Sequence, residues 1–331
     1  MSAYRSVAEM SIKQVITGAV LCLVASMSWG AMFPVAHIAM QHIDPFYFSL
    51  IRYLGVAVIL SVILLIKEGR SAFKLEGRGL LLTVLGAMAF TVYNMCIFWG
   101  QSMMGEAGAI AASISEVLMP MLSVIIMWLI TRKAPKRYTL FSIALALIGA
   151  LLVITRGELN FFLTAREHVL PLGLMLVAVT GWVIYSMGGS RFKQWSVLRY
   201  STLTCIMGSL VSMAIVGSAT AAGALSAPSL DTLWQIKYEM AFMIVLPGLA
   251  ALLSWNLGMK LLTPVNGVLF INAVPVTTFV IMAFQGYHIG SFELYGTALI
   301  IFALVHNNMQ QRKSAATTAG KRRFGAHAAK V

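Results

Sequence analysis

The chain has 331 residues, 59% of them hydrophobic and 11% charged, with a formal net charge of +13 and a mean hydropathy of +0.85. Soluble domains carry about 25% charged residues, so this composition excludes a soluble globular protein and points to one that lives in lipid. Cys22, Cys96 and Cys205 all lie in apolar runs without paired or metal-ligand spacing, which leaves them as small buried hydrophobes and excludes a disulfide framework.

Taken in chain order, the apolar runs predict spans at 13–40, 45–66, 79–102, 105–130, 138–155, 169–189, 197–222, 236–261, 264–286 and 290–309. Each is continuous and near the roughly 20 residues a helix needs to cross a bilayer. None has the alternating ten-residue pattern of a barrel strand. The predicted fold class is therefore an all-α polytopic membrane protein with ten transmembrane helices and short connections. Arg5 and Lys13 ahead of the first run resemble the opening of a signal peptide. That run continues without an A-x-A-like cleavage site and reads as a retained first span.

Positive charge orients the chain. Of its 24 Lys and Arg residues, Arg156, Arg166 and Lys237 fall on one side, Arg52 and Arg199 lie within spans, and all the others fall on the opposite side. Cytoplasmic loops carry the excess, so both termini are expected in the cytoplasm, residues 1–12 and a basic tail at 310–331. The tail reads as a topology determinant or a contact for membrane lipid headgroups, with no nucleic-acid partner expected.

Five spans precede Arg156 and five follow it, and small motifs recur between the halves. Ser28-Trp29-Gly30 in the first span answers to Thr180-Gly181-Trp182 in the sixth. Arg52-Tyr53 answers to Arg199-Tyr200, and Pro120 to Pro275. An odd number of spans per half means that the second half inserts upside down. The domain reading is a first five-helix repeat at 13–155 and an inverted second repeat at 169–309, an organisation shared by many secondary transporters with a midplane site. Arg52 would then lie toward the outer face and Arg199 toward the inner one.

These features resemble the EamA-type ten-helix exporters of the drug/metabolite transporter superfamily. The resemblance rests on Trp29-Gly30 with Phe33 in the first span, Pro45 with Arg52 in the second, and a proline in the fourth and ninth. It covers roughly residues 13 to 309. It implies alternating-access export of small metabolites, such as amino acids, across a bacterial inner (plasma) membrane. Many members carry a Lys a few residues beyond the Trp-Gly, where this chain offers His37, and the second half has no Phe-Pro after Trp182.

The residues point to the same chemistry from below. An acidic side chain at a helix centre costs roughly 2.5–3.5 kcal/mol on insertion scales, yet Glu116 lies deep in the fourth span. With Ala109, Ser113, Pro120 and Ser123 it forms a stripe at steps of three or four, predicting a cavity wall in which a carboxyl binds a proton or a cationic group. Pro34, Pro120 and Pro275 are the expected helix breaks, because proline frees a backbone carbonyl where no bulk water reaches. Arg52 is a candidate gate or helix-locking residue. Trp29, Asn94, Trp182, Tyr185 and Asn272 complete the expected pathway, as aromatic walls and inward-facing amides. Ser142, Ala146 and Gly149 in span five, and Gly290, Gly296 and Ala298 in span ten, read as tight helix contacts within one chain, with dimerisation the other reading.

No Walker A, H-E-x-x-H or G-x-G-x-x-G pattern is present, and no nucleophile–base pair can be assigned, so no enzymatic activity, cofactor or metal is expected. The expected function is a secondary active exporter of a small-molecule substrate, with Glu116 the candidate for proton coupling. Two readings compete: efflux of drugs or organic cations, and a polytopic membrane enzyme acting on lipid intermediates.

Overall fold

The computed structural model describes residues 12–132, 134–157, 165–262 and 268–328. Most of the expected N-terminal segment, Lys133, the link at 158–164, the opening of the ninth predicted span and the last three residues of the tail lie outside them. The helices are α1 (Ile12–Ala39), α2 (Pro45–Glu68), α3 (Gly79–Gly86), α4 (Tyr93–Met103), α5 (Ala107–Val117), α6 (Met119–Thr131) and α7 (Arg137–Thr155). They continue with α8 (Ala165–Gly188), α9 (Val197–Ala221), α10 (Leu230–Gln235), α11 (Lys237–Met243), α12 (Ala251–Leu261), α13 (Ala273–Phe284) and α14 (Ser291–Ala328). A π-helical segment, Ala87–Val92, joins α3 to α4, and a second, Ile244–Ala250, joins α11 to α12.

Among the described residues, six helices are long and apolar enough to cross a membrane: α1, α2, α3–α4, α8, α9 and α11–α12. Counted as one bent span, α5 with α6 makes a seventh; α7 and the stretch ending in α13 are shorter apolar helices. The chain is thus an all-helical multi-pass membrane protein. Past the end of the tenth predicted span the helix does not stop, and α14 carries much of the tail on to Ala328.

Local chemistry sets where these elements start and bend. Asp44 caps α2 by accepting the Phe46 N–H at 2.8 Å, with Pro45 in the first turn, where its missing N–H costs nothing. Ser196 caps α9 by accepting from the Arg199 N–H at 2.9 Å. The predicted fourth span is broken at Leu118, where α5 and α6 meet at 47° with Pro120 in the first turn of α6. Pro34 departs from expectation, because α1 runs unbroken past it. The Gly30 carbonyl that Pro34 cannot reach accepts a hydrogen bond from Thr278 Oγ1 at 2.7 Å, so a side chain of α13 replaces the missing donor.

Helices pack where side chains are smallest, since lipid provides no hydrophobic drive between them. Extensive contacts pair α7 with α14, α1 with α12 and α13, α4 with α8, and α2 with α9; α8 also meets α5 and α6. A Cβ on Gly149 would sit 2.6 Å from the Gly296 carbonyl oxygen, so α7 and α14 touch backbone to backbone. Gly86 and Gly208 do the same between α3 and α9, and a Cβ on Gly30 would sit 2.4 Å from the Val274 carbonyl oxygen of α13.

Candidate functional site

A cavity of about 220 Å³ opens inside the bundle. Its walls come from Trp29 and Met32 of α1, Arg52 and Tyr53 of α2, Phe90 and Tyr93 around the first π segment, and Glu116, Met119, Pro120 and Ser123 around the α5–α6 bend. The second half of the chain adds Trp182, Val183 and Ser186 of α8, Pro247, Gly248, Leu252, Trp255 and Met259 around the second π segment, and Ile271. The fourth-span stripe therefore divides at the bend. Glu116, Pro120 and Ser123 reach the cavity, whereas Ala109 and Ser113 are buried in helix packing.

Glu116 is 4% exposed, and its Oε1 accepts a hydrogen bond from the Tyr93 hydroxyl. Tyr93 is the residue that follows the first π segment, and its ring packs on Trp182 at 5.2 Å between centroids. Trp29 meets Trp182 edge-on at 6.4 Å and lies against Trp255 at 5.3 Å, so three indoles and a phenol form an aromatic corner beside the carboxyl. The Trp29 indole N–H is itself fixed, donating to the Pro247 carbonyl at 3.2 Å.

Arg52 is 1% exposed, and its guanidinium lies 4.8 Å from the centroid of the Tyr53 ring and 5.8 Å from that of Phe98. Nε donates to the Met243 carbonyl at 3.3 Å and an Nη to Asn94 Oδ1 at 3.3 Å. Arg52 and Glu116 share the cavity without pairing. The ion pairs among the described residues are Arg156–Glu293 and Arg199–Glu76.

The remaining expected positions stand one layer back. Asn94 is fully buried behind Arg52, where its amide N–H donates to the Ala89 carbonyl at 2.8 Å. Tyr185 lies beyond Trp182, with centroids 5.4 Å apart, and Asn272 follows cavity-lining Ile271 without lining the cavity itself. Pro275 is buried in α13. Other functional positions were missed by sequence reasoning: Tyr93 as the donor to the carboxyl, Tyr53 and Trp255 as cavity wall, and Pro247–Gly248 in the second π segment. Trp255 carried a signal in its position three residues after Leu252 and four before Met259, but it stood out only as the repeat counterpart of Trp99 at the end of the eighth predicted span. The first π segment carried none, whereas the second contains Pro247-Gly248.

A column of rings leads away from the cavity, starting at Trp182 in its wall. Trp182 packs on Tyr185, Tyr185 stacks on Tyr200 at 5.2 Å, Tyr200 meets Phe192, and Phe192 meets Trp195 at 4.9 Å. The column ends at Arg199, whose guanidinium sits 3.9 Å from the Trp195 ring centroid and 2.7 Å from Glu76. Arg199 also donates to the Lys74 carbonyl at 2.6 Å, and the Trp195 indole donates to Glu76 at 3.0 Å. Arg199 is thereby tied to the α2–α3 connection instead of reaching out to headgroups. Glu76 can aim its carboxylate there because its backbone is left-handed, with φ 52°, and Gly77 follows at φ 72°. The Arg199 and Trp195 hydrogen bonds hold the Glu76 carboxyl below the usual carboxylate range.

The EamA-like transporter family model matches residues 16–155. Uncharacterized transporter YrdR of Bacillus subtilis strain 168 is 50% identical over 300 residues, spanning 91% of this chain and 94% of its own. The chain belongs to the EamA-like transporter family. A second protein of that strain, Uncharacterized transporter YyaM, is 27% identical over 290 residues, covering 86% of this chain and 92% of its own. A crystal structure of a protein 18% identical in sequence superposes with a TM-score of 0.64, over 90% of this chain and 98% of the other, which shows a shared fold. As a membrane transporter, the chain handles a small-molecule substrate.

Proposed function

We propose that this transporter is a secondary active exporter of small metabolites such as amino acids, working by alternating access in the inner (plasma) membrane. Ten spans form two inverted five-span repeats, 13–155 and 169–309, with both termini and the basic 310–331 tail in the cytoplasm. The recurrence of local features supports the repeats. A π segment sits inside both the third and the eighth span, the fourth breaks two residues before Pro120, and in the ninth a 3-10 turn gives way to α13 two residues before Pro275. The pairing of α1 with α12 mirrors that of α8 with α4, as a pseudo-two-fold relation requires.

The observation that carries the functional reading is Glu116, a buried carboxyl that lines the cavity and accepts from Tyr93 without a cationic partner in ion-pair range. Acidic side chains held inside membranes mark ion or substrate pathways. In this scheme Glu116 binds a proton in exchange for substrate. Trp29 and Trp182 form the aromatic wall with Tyr185 behind it, Arg52 is its polar edge with Asn94 behind, and Asn272 is its flank at the α13 end. Pro120 and Pro275 give the bends about which the halves rock, while Pro34 adapts α1 to α13. The ring column from Trp182 to Trp195 is the closed gate of the cytoplasmic side.

A second reading, efflux of organic cations or drugs, is favoured by one specific feature, the three indoles and a phenol beside the carboxyl. Cations bind aromatic faces. Transport into everted vesicles, wild type beside Glu116→Gln, tests the coupling role, and an active variant with unchanged pH dependence would remove it. Charge reversal at Glu116 and at Arg52, scored by accumulation of a compound panel, separates the two substrate readings. Loss of cation transport on Glu116→Lys alone favours the second.

A further inference from the structure

In a π segment the ladder shifts to i→i+5, so the Tyr93 N–H goes to the Met88 carbonyl and the Ala251 N–H to the Leu246 carbonyl, and the next carbonyls, Ala89 and Pro247, lose their ordinary donors inside a membrane where each needs one. In the second segment, Pro247 has no N–H to offer Met243 four residues earlier, and Arg52 Nε reaches that carbonyl from α2 at 3.3 Å. The Pro247 carbonyl takes the Trp29 indole N–H from α1 at 3.2 Å. In the first segment the Ala89 carbonyl takes the Asn94 amide N–H at 2.8 Å. Asn94 in turn accepts from Arg52 through Oδ1 at 3.3 Å. One guanidinium thus holds both segments, through one nitrogen on the backbone of the second and another on the amide that serves the first. The seat is fitted closely to α2. A Cβ on Gly55 would meet Ile244 at 2.6 Å, and one on Gly248 would meet Val56 at 2.6 Å.

We infer that Arg52 is a positioning residue which, with Asn94 and Trp29, clamps the two π segments and so fixes the cavity wall, and that transport depends on its forked geometry and not on its charge alone. This rests on the reading of the cavity as the transport site. The segments carry the wall at its most chemically active points. Tyr93, the donor to Glu116, begins directly after the first, and Pro247 and Gly248 of the second line the cavity. The fork matters because Met243 and Asn94 stand on different helices and are met by different nitrogens. A Lys ammonium presents all its donors from one atom and cannot reproduce that span.

The test compares wild type, Arg52→Lys, Arg52→Gln and Trp29→Phe as full chains in nanodiscs and in cells. Hydrogen–deuterium exchange is read at 87–92 and 244–250, and untargeted extracellular metabolite profiles supply the transport readout. Loss of a charge-assisted hydrogen bond is expected to speed exchange by about tenfold. Arg52→Lys and Arg52→Gln should do so in both segments, while Trp29→Phe, which removes a single bond and keeps an aromatic ring, should do so at 244–250 alone. Export should fall in Arg52→Lys as far as in Arg52→Gln. Unchanged exchange at both segments in Arg52→Lys would overturn the clamp. Faster exchange with wild-type export in that variant would overturn its role in transport. Should no metabolite change even with wild type, the exporter reading fails, and the exchange data still decide the clamp. If Arg52→Gln does not fold, Trp29→Phe and Arg52→Lys carry the test.

Discussion

At the scale of single residues, the bundle repeatedly solves one problem, a proline-freed carbonyl in lipid, with a side-chain donor from another helix. Thr278 serves Gly30 opposite Pro34, and Arg52 serves Met243 opposite Pro247. Thr278→Val should therefore destabilise the protein by about 1–3 kcal/mol, the cost of a buried polar group left unsatisfied. Pro34→Ala restores the local N–H, so the double variant should recover most of that loss. Thermal unfolding of the two singles and the double gives the coupling, and strict additivity would show that Thr278 does not replace the proline's missing donor. Glu116 and Pro120 were legible in the sequence because each is costly in a lipid-facing helix, and only a polar interior makes the pair tolerable. The Glu116 donor was not legible. Tyr93 lies one span away, 23 residues earlier, and nothing in its neighbours distinguishes it from a packing aromatic.

At the scale of elements, the π segments and the α5–α6 bend shape the cavity, and the ring column runs from its Trp182 wall. Ala87–Val92 contains neither Gly nor Pro and has the composition of the rest of its span, so the extra turn radius is invisible until the helix packs. The 47° bend was half legible, since Pro120 announced it but not that the chain would break at Leu118. The Glu76–Arg199 contact joins the α2–α3 connection to the first turn of α9, 123 residues later, and charge counting gave only the side on which each was expected. Arg199 and Trp195 depress the Glu76 carboxyl, so the bond contributes stability above the ordinary carboxylate range and loses it as pH falls through the lowered value. A disulfide-free crosslinking assay between the 69–78 and 189–196 connections should report persistent contact through mildly acidic pH and release in stronger acid, and Glu76→Gln should abolish the pH step. A contact unaffected by either would show that the ring column holds this end alone. The helix pair α7–α14 makes a separate demand. Gly149→Ala places a methyl 2.6 Å from the Gly296 carbonyl oxygen and should cost about 1–3 kcal/mol in thermal unfolding, as overpacking does. A neutral outcome would mean that the two helices can separate freely.

At the scale of the whole molecule, the multi-pass helical fold agrees with what composition and hydropathy announced, and membership of the EamA-like transporter family agrees with the resemblance its motifs carried. The apolar runs were readable because a bilayer forces long continuous stretches, whereas the cavity's position depends on which helix faces turn inward, and packing sets that. Arg52 lies at the meeting of α2 with both π segments, Trp29 at the meeting of α1 with α12, and Glu116 at a bend, so the site is assembled from places where helix geometry is irregular. In the proposed mechanism this cavity carries the solute and Glu116 couples its movement to protons. The most direct measurement follows the solutes whose extracellular level rises when the wild-type chain is overproduced, comparing their export across external pH with that in cells making Glu116→Gln at equal membrane abundance. Export that depends on pH in wild type and loses that dependence, together with its concentrative part, in Glu116→Gln is the predicted result. Concentrative export with the same pH profile in both would contradict it.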